Sequence, residues 1–560
     1  MTGPAYITTP IYYVNDRPHI GHAYTTTLCD VWARAMRLRG RDVHFLTGTD
    51  EHGSKVEKSA AAQGVTPQVL ADRNAAEFKS VMKLFNLTND DFIRTTEPRH
   101  EQRVQSLVKR LHEAGHIYVG EFEGWYDEGQ EEYHTDTNAK ALDFKSPVSG
   151  KALVRAKEQN YYFRLSAFQS RLERFYAENP GFVRPQARLN EVLGRVRDGL
   201  QDVPITRTNF TWGIPFPGHP EHVIYVWIDA LFNYVTALGI GGDGAAGAGS
   251  GAAAGARAGA SSNDLDLARY WPAEYHIIGK EILWFHAVIW PALLMALELP
   301  TPRCVYAHSF WISNGQKMSK SLGNFIDLPT IEQYFAKYGL DAWRWFMVTR
   351  GPLEATDADF RAEAFHETYT ADLVNTVGNC ASRVTAMMER YFDGLVPEDS
   401  ERGGEWPARV RATVAAWEKA IDDFALADAA SAAIALLRQV DVFINATEPF
   451  KLAKDPAQRP RLASILAQCA ECVRIAGVLL APFLPAKMTE LEVALGCTAS
   501  ASAATTSSAI STVPVTPVTS ASASKPATPF ADIAAWGGLA PGTKLTKCAL
   551  FPRVEAAKAD

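Results

Sequence analysis

Apolar, β-branched and aromatic residues run almost unbroken through positions 5–14, which predicts a strand. Over 23–39 the apolar positions change to helical spacing, Gly40 ends the pattern, and 43–47 predicts a second strand. Strand, helix and strand in that order open a parallel α/β sheet. A second α/β region spans 223–328, with predicted strands at 223–227 and 275–278 and a long helix from Lys280 onward. With 116–222 lying between the two halves, the expectation is one nucleotide-binding α/β fold interrupted by an inserted unit that is rich in aromatic and polar residues. From 361 to 496 the pattern becomes long amphipathic helices, the mark of a separate bundle. Residues 240–263 (Gly, Ala, Ser) and 498–528 (Ala, Ser, Thr, Pro) cannot bury enough apolar surface to offset chain entropy, so both are expected to be disordered insertions.

Composition narrows the class. A chain of 560 residues corresponds to roughly three to five units at about 100–200 residues each, and 47% hydrophobic residues suffice for large cores. The longest purely apolar runs, 287–297 and 475–486, each contain proline and fall short of the roughly 18 residues a membrane span needs, so no membrane association is expected. Seven cysteines, an odd number with none between Cys29 and Cys304, cannot form a dense disulfide framework. No basic stretch or apolar leader precedes position 5, and the expected location is the cytoplasm. A net charge of -7 argues against non-specific coating of nucleic acid while leaving local basic grooves open.

Two constellations carry chemistry. Pro18-His19-Ile20-Gly21-His22 falls between the first strand and its helix, where backbone amides and the helix dipole attract phosphate, glycine admits a flat ring, and two imidazoles can donate to phosphate oxygens. Surface histidines capping a helix would look the same. Lys317-Met318-Ser319-Lys320-Ser321 sets two lysines three apart on a loop with Gly323, a cationic clamp for a polyphosphate whose charge rises in the transition state. A solvated basic loop is the plain alternative for any lysine pair taken alone.

Together these motifs resemble the two signatures of class I aminoacyl-tRNA synthetases, and the flanking residues narrow the resemblance to the methionyl-tRNA synthetase family. It covers 6–53, 160–168, 226–234, 276–291, 308–324, 378–383 and 550–555. The implied fold is a Rossmann-like parallel-sheet catalytic domain in two halves (1–115 and 223–328), split by a connective-peptide domain (116–222). A stem-contact region (329–360) and an α-helical anticodon-binding bundle (361–560) follow, with 530–560 as a returning C-terminal segment.

The resemblance also implies site residues. The methionine side chain would lie among Ile11, Tyr13, Trp227, Ala230, Leu231, Tyr234, Ile282, His286 and Trp290, with Asp50 facing the ammonium. A long thioether suits such an aromatic, polarizable box with a hydroxyl or imidazole reading the sulfur, although Trp227, Leu231 and Tyr234 at helical spacing also describe ordinary core. ATP, carried with Mg2+, would meet His19, Gly21, His22, Gly279, Glu281, Lys317, Ser319 and Lys320, with His19, His22, Lys317 and Lys320 catalytic; the family's ribose-binding acid is usually aspartate where Glu281 stands. Asn379, Arg383 and Phe450 match residues that read the CAU anticodon, Phe450 replacing the usual tryptophan. Residues 116–222 contain no cysteine, so the thiolate zinc site common in the family is not expected, and Cys469 and Cys472 read as helix core.

The implied activity is two-step esterification of tRNA(Met), initiator and elongator, with methionine, by a monomer. Two alternatives use parts of the same motifs: an adenylate-forming nucleotidylyltransferase that needs no RNA, and an inactive RNA-binding paralogue. The first has no use for the helical bundle, and the second none for intact histidine and lysine motifs.

Overall fold

A computed structural model describes residues 3–14, 18–127, 132–134, 136–147, 149–242, 267–313, 315–318, 324–497 and 529–555. Both low-complexity insertions fall largely or wholly outside these ranges.

The opening unit forms as its periodicity dictates. Strand β1 (Ala5–Thr8) is buried throughout, Thr9 and Pro10 interrupt it, and β2 (Tyr12–Tyr13) continues the same extended chain. Proline has no amide to give a ladder, which is why the predicted single strand divides there. Helix α1 (Ile20–Leu38) follows and ends before Gly40, whose φ of 76° suits a residue without Cβ. Strand β3 (Val43–Asp50) is then buried at all eight positions. A seven-stranded parallel sheet takes the order Tyr12–Tyr13, Val43–Asp50, Ala5–Thr8, Tyr275–Gly279, Val305–His308, Val183–Arg184, with Asp91–Arg94 also paired to Val43–Asp50. Burial on both faces by helices is what a parallel sheet requires.

Three local expectations change. The strand predicted at 223–227 ends at Ile224 and belongs to a small antiparallel sheet, while Trp227 lies in the first turn of the helix Val226–Thr236. The helix from Lys280 is broken into a 3-10 turn (Lys280–Ile282), a π-helical turn (Phe285–Ile289) and an α-helical piece (Trp290–Ala296). Within 116–222, the long hairpin Ile117–Asp127/Val154–Phe163 stands as its own antiparallel sheet, but Val183–Arg184 adds an edge strand to the main sheet beside Val305 and Tyr306.

The C-terminal helices bury regularly spaced residues. In Leu426–Thr447 these are Leu426, Ala429, Ala430, Ala433, Ile434, Leu436, Leu437, Val440 and Ile444. The central helix Arg459–Leu480 is buried from Leu462 to Leu480, and the segment Pro456–Leu480 is long and apolar enough to cross a membrane by composition, but 89% of its apolar window is covered by protein. Its buried Glu471 accepts from Nε and Nη2 of Arg474 and from the N–H groups of Gly537, Gly538 and Leu539, which fastens the returning C-terminal segment to the bundle. Asp30 on α1 accepts from Arg34 and Arg344 at 2.7 Å each, and Arg344 also donates to the carbonyl of Pro482, so one buried charge cluster joins α1 to the C-terminal helices.

Candidate active site

The carboxyl ends of the central strands define the site. Pro10 and Ile11 follow β1, Asp50 ends β3, Gly279 ends Tyr275–Gly279, and His308 ends Val305–His308; all line one cavity of about 450 Å3. Ligands bind in this crevice in open α/β sheets, and the N-terminus of α1 opens on it through Gly21 and His22 with the positive end of its dipole.

The first motif caps that helix. His19 Nδ1 accepts the Gly21 N–H at 3.1 Å, and His22 Nδ1 accepts the His19 N–H at 3.2 Å. Both imidazoles therefore hold the tautomer with hydrogen on Nε2. Their rings lie 3.9 Å apart. Burial, and the His19 charge beside it, hold the His22 pKa well below the ordinary histidine value, so this neutral donor form persists at physiological pH. A Cβ on Gly21 would sit 3.0 Å from the His19 ring, leaving no room for a larger residue without moving the histidine.

The second motif approaches from the far half of the sheet. Lys317 is exposed on the short strand Gln316–Lys317, paired to Trp311–Ser313. Ser319 and Lys320 lie outside the described residues. Beyond them the chain returns to the first motif: the Ile20 N–H donates to the Ile326 carbonyl at 3.2 Å, and the Phe325 ring meets His19 edge-on at 5.2 Å.

The apolar end is built by Val226–Thr236 and the broken helix opposite. Ile11, Tyr13, Trp227, Ala230, Leu231, Tyr234, Ile282 and His286 line the cavity together with Asp50. Trp227 stacks on Phe285 at 4.1 Å. Trp290 is fully buried behind Tyr234 rather than on the wall, and donates from Nε1 to His276 Nε2 at 3.3 Å. His286 Nδ1–H donates to the Ile282 carbonyl at 3.0 Å, so Nε2 is the acceptor for the Tyr234 hydroxyl at 2.8 Å. Burial pushes the His286 pKa down to about 4, which keeps the ring neutral. With its hydrogen committed to His286, Tyr234 offers a polarizable ring and no spare donor, a surface that suits a thioether and leaves a polar side chain unsatisfied.

Gly279 and Glu281 lie at the other end of the cavity. The Glu281 carboxylate folds over Gly279, where a Cβ would meet it at 2.3 Å. Glu281 opens toward solvent at the cavity mouth, yet the surrounding walls desolvate it and push its pKa up, with Lys280 and Lys317 among the influences opposing the rise. Sequence reasoning missed Thr25, Lys55, Phe285, His308 and Phe310, all on the wall. Thr25 Oγ1 and His308 Nε2, 2.7 Å apart, tie the second turn of α1 to the end of the strand Val305–His308. His308 at the end of the apolar run 305–307 was a usable signal; Thr25, inside a helix of threonines, had none.

In the bundle, Asn379 and Arg383 share one face of Asn379–Phe392. Arg383 donates to Asp441 at 2.7 Å and to Asn445 at 3.1 Å, five residues before Phe450. A left-handed turn at Glu448 leads into Pro449–Leu452 and leaves the Phe450 ring 46% exposed. Among the described residues no group of three His, Cys, Asp or Glu side chains is arranged to hold a metal ion.

Residues 5–142 and 137–385 match the family of class I tRNA synthetases (M). The chain is 41% identical over 494 residues to the methionine–tRNA ligase of Halalkalibacterium halodurans, covering 86% of this chain and 71% of that one. It is 41% identical over 502 residues to the methionine–tRNA ligase of Bacillus subtilis, covering 87% and 72%. The structure of Mycobacterium tuberculosis methionyl-tRNA synthetase in complex with methionyl-adenylate superposes with a TM-score of 0.84 at 35% identity, covering 99% of this chain and 100% of that one. The apo form of the same enzyme gives 0.79 at 31% identity, covering 99% of each.

Proposed function

The chain belongs to the methionyl-tRNA synthetases, a class I family, and from that premise we propose how its residues divide the reaction. It is a methionine–tRNA ligase, which activates methionine with ATP to methionyl-adenylate and charges tRNA. The observation that carries the assignment of residues is the single cavity joining the α1 N-terminus, Asp50 and the Tyr234–His286 wall.

Methionine enters with its thioether against Tyr234, His286, Trp227, Ala230, Leu231, Ile11, Tyr13 and Ile282, Trp290 supporting the wall from behind, and with its ammonium on Asp50. Its carboxylate attacks the α-phosphorus of Mg-ATP and pyrophosphate leaves. Nε2–H donors of His19 and His22 meet phosphate oxygens at the helix N-terminus, where negative charge develops. Lys317 and Lys320 neutralise the departing pyrophosphate, Ser319 holds the loop on the nucleotide, Gly21 and Gly279 admit the adenosine, and Glu281 accepts from the ribose hydroxyls. The terminal adenosine of the tRNA then takes the methionyl group through its 2′-hydroxyl, and AMP is released.

Residues 1–115 and 223–328, with the edge strand Val183–Arg184, form the catalytic unit, the rest of 116–222 covers the acceptor end without zinc, 329–360 touches the stem, and 361–560 reads the CAU anticodon of initiator and elongator tRNA(Met) through Asn379, Arg383 and Phe450. The enzyme works as a cytoplasmic monomer away from membranes. Asp50→Asn tests the site: methionine-dependent pyrophosphate exchange is expected to show a methionine KM raised by about tenfold or more, the scale of a lost charge-assisted contact, and an unchanged KM removes Asp50 from the site.

A further inference from the structure

Asp229 is fully buried one residue from the cavity wall, and it accepts two short hydrogen bonds: from His52 Nδ1–H to Oδ2 and from His100 Nε2–H to Oδ1, each at 2.6 Å. The three residues come from separate segments. His52 follows Asp50 by two positions, at the end of β3; Asp229 lies in the first turn of Val226–Thr236, between wall residues Trp227 and Ala230; His100 belongs to the helix Pro98–Glu113. His100 Nδ1 also shares a hydrogen bond with Thr236 Oγ1 at 2.7 Å, so the helix that forms the thioether wall is gripped at both ends. Gly53, with φ of 102°, turns the chain after His52 and donates its N–H to the Trp212 carbonyl at 3.1 Å.

A buried carboxylate is a costly way to join a helix to a strand, since apolar side chains of similar volume hold such contacts as well or better. What a doubly bonded carboxylate adds is a fixed distance and direction. We propose that Asp229 and His52 are positioning residues for methionine: they set the separation between the Asp50 carboxylate and the thioether wall, so that the ammonium and the sulfur of one molecule are held together. This rests on the reading of Asp50 as the ammonium's partner. Burial pulls the His52 pKa down, but the charge and hydrogen bond of Asp229, joined by Glu101 and Glu51, outweigh it and raise the value, which keeps the imidazole a firm donor. Burial likewise raises the Asp229 pKa, and the two histidines more than reverse this, holding the carboxylate ionised.

The test is methionine-dependent pyrophosphate exchange with the full chain, measuring the KM for methionine and the KM for ATP separately, with the thermal midpoint of each variant. Asp229→Asn is expected to raise the methionine KM about tenfold and leave the ATP KM unchanged. His52→Asn, which puts an amide N–H where Nδ1–H was, is expected to be milder than His52→Ala, and keeps the test open should Asp229→Asn fold poorly. In Asp50→Asn/Asp229→Asn the second change should add little, because no carboxylate remains to be positioned. A rise of both KM values in parallel with a lowered midpoint would reduce the pair to packing. An unchanged methionine KM in the Asp229 and His52 variants, with Asp50→Asn impaired, would overturn this inference alone. An unimpaired Asp50→Asn would overturn the Asp50 assignment and this inference with it.

Discussion

Tyr234 donates its hydroxyl hydrogen to His286 Nε2 across 2.8 Å, and the Ile282 carbonyl, by taking Nδ1–H, fixes the tautomer that makes this possible. The Tyr234–His286 face of the cavity, proposed to meet the methionine side chain, is thereby held in one arrangement. Tyr234→Phe should leave His286 Nε2 without its donor and raise the methionine KM by roughly tenfold, the value of one buried hydrogen bond, with the ATP KM unchanged in pyrophosphate exchange. A variant with wild-type methionine KM would show that the hydroxyl does not organise the wall.

Acid stability follows from the same buried imidazoles. Burial lowers His286 and His308 to about 4, and His22 and His276 also lie well below the ordinary value. These groups stay neutral in the fold while the unfolded chain takes up protons below about 6.5, so their contribution is complete above that pH and shrinks as pH falls toward the folded value. At pH 5 the loss is roughly 2 kcal/mol each for His286 and His308. His52, whose pKa is raised, works in the opposite sense, with its stabilisation present at low pH and lost as pH rises through the folded value. A thermal midpoint clearly lower at pH 5 than at pH 7.5 is expected; an equal or higher one would show that these rings are protonated in the fold.

Arg344 is wholly buried between Asp30 of α1 and the carbonyls of Pro482 and Phe483. Arg344→Met should cost about 3 kcal/mol or more, because Asp30 keeps only Arg34 as its charged partner in a site closed to water. Denaturant unfolding measures it, and a loss below about 1 kcal/mol would mean that water or a neighbour replaces the guanidinium.

Anticodon reading should separate from chemistry. Arg383→Ala is expected to weaken charging kcat/KM by roughly 1–3 kcal/mol while tRNA-independent pyrophosphate exchange is unchanged, and to discriminate less against altered anticodons. Because Arg383 is held by Asp441 and Asn445 in the free protein, Asp441→Ala should reproduce part of the loss by releasing the guanidinium. Charging that falls equally for all anticodons would make Arg383 a backbone contact.

Much of this was legible in the sequence because long elements carry long patterns. Nineteen residues of α1 repeat their apolar spacing five times over, whereas β3 was legible only over 43–47 because its last residues, Thr47, Gly48, Thr49 and Asp50, are buried without being apolar. Short elements carry no such redundancy: Val183–Arg184 joins the main sheet with two residues, too few for any periodicity. A strand ends at Ile224 and a helix starts at Val226, so the apolar run 223–227 fits both patterns. The π-helical turn after Lys280 precedes Pro291, which has no N–H for the Ala287 carbonyl, and that carbonyl accepts from the Tyr176 hydroxyl at 2.5 Å instead. The His52–Asp229–His100 cluster was invisible because its members lie 177 and 129 residues apart and belong to no local motif.

The most direct measurement is charging of total tRNA with each amino acid in turn, beside pyrophosphate exchange without tRNA, for the wild type and for Lys320→Ala. The account predicts that methionine alone supports both reactions in the wild type. It also predicts that Lys320→Ala slows both by roughly 10²-fold, the scale of one lost transition-state donor, with substrate binding nearly intact. Exchange that never proceeds to charged tRNA, or a Lys320→Ala defect that appears wholly as weaker ATP binding, would contradict it.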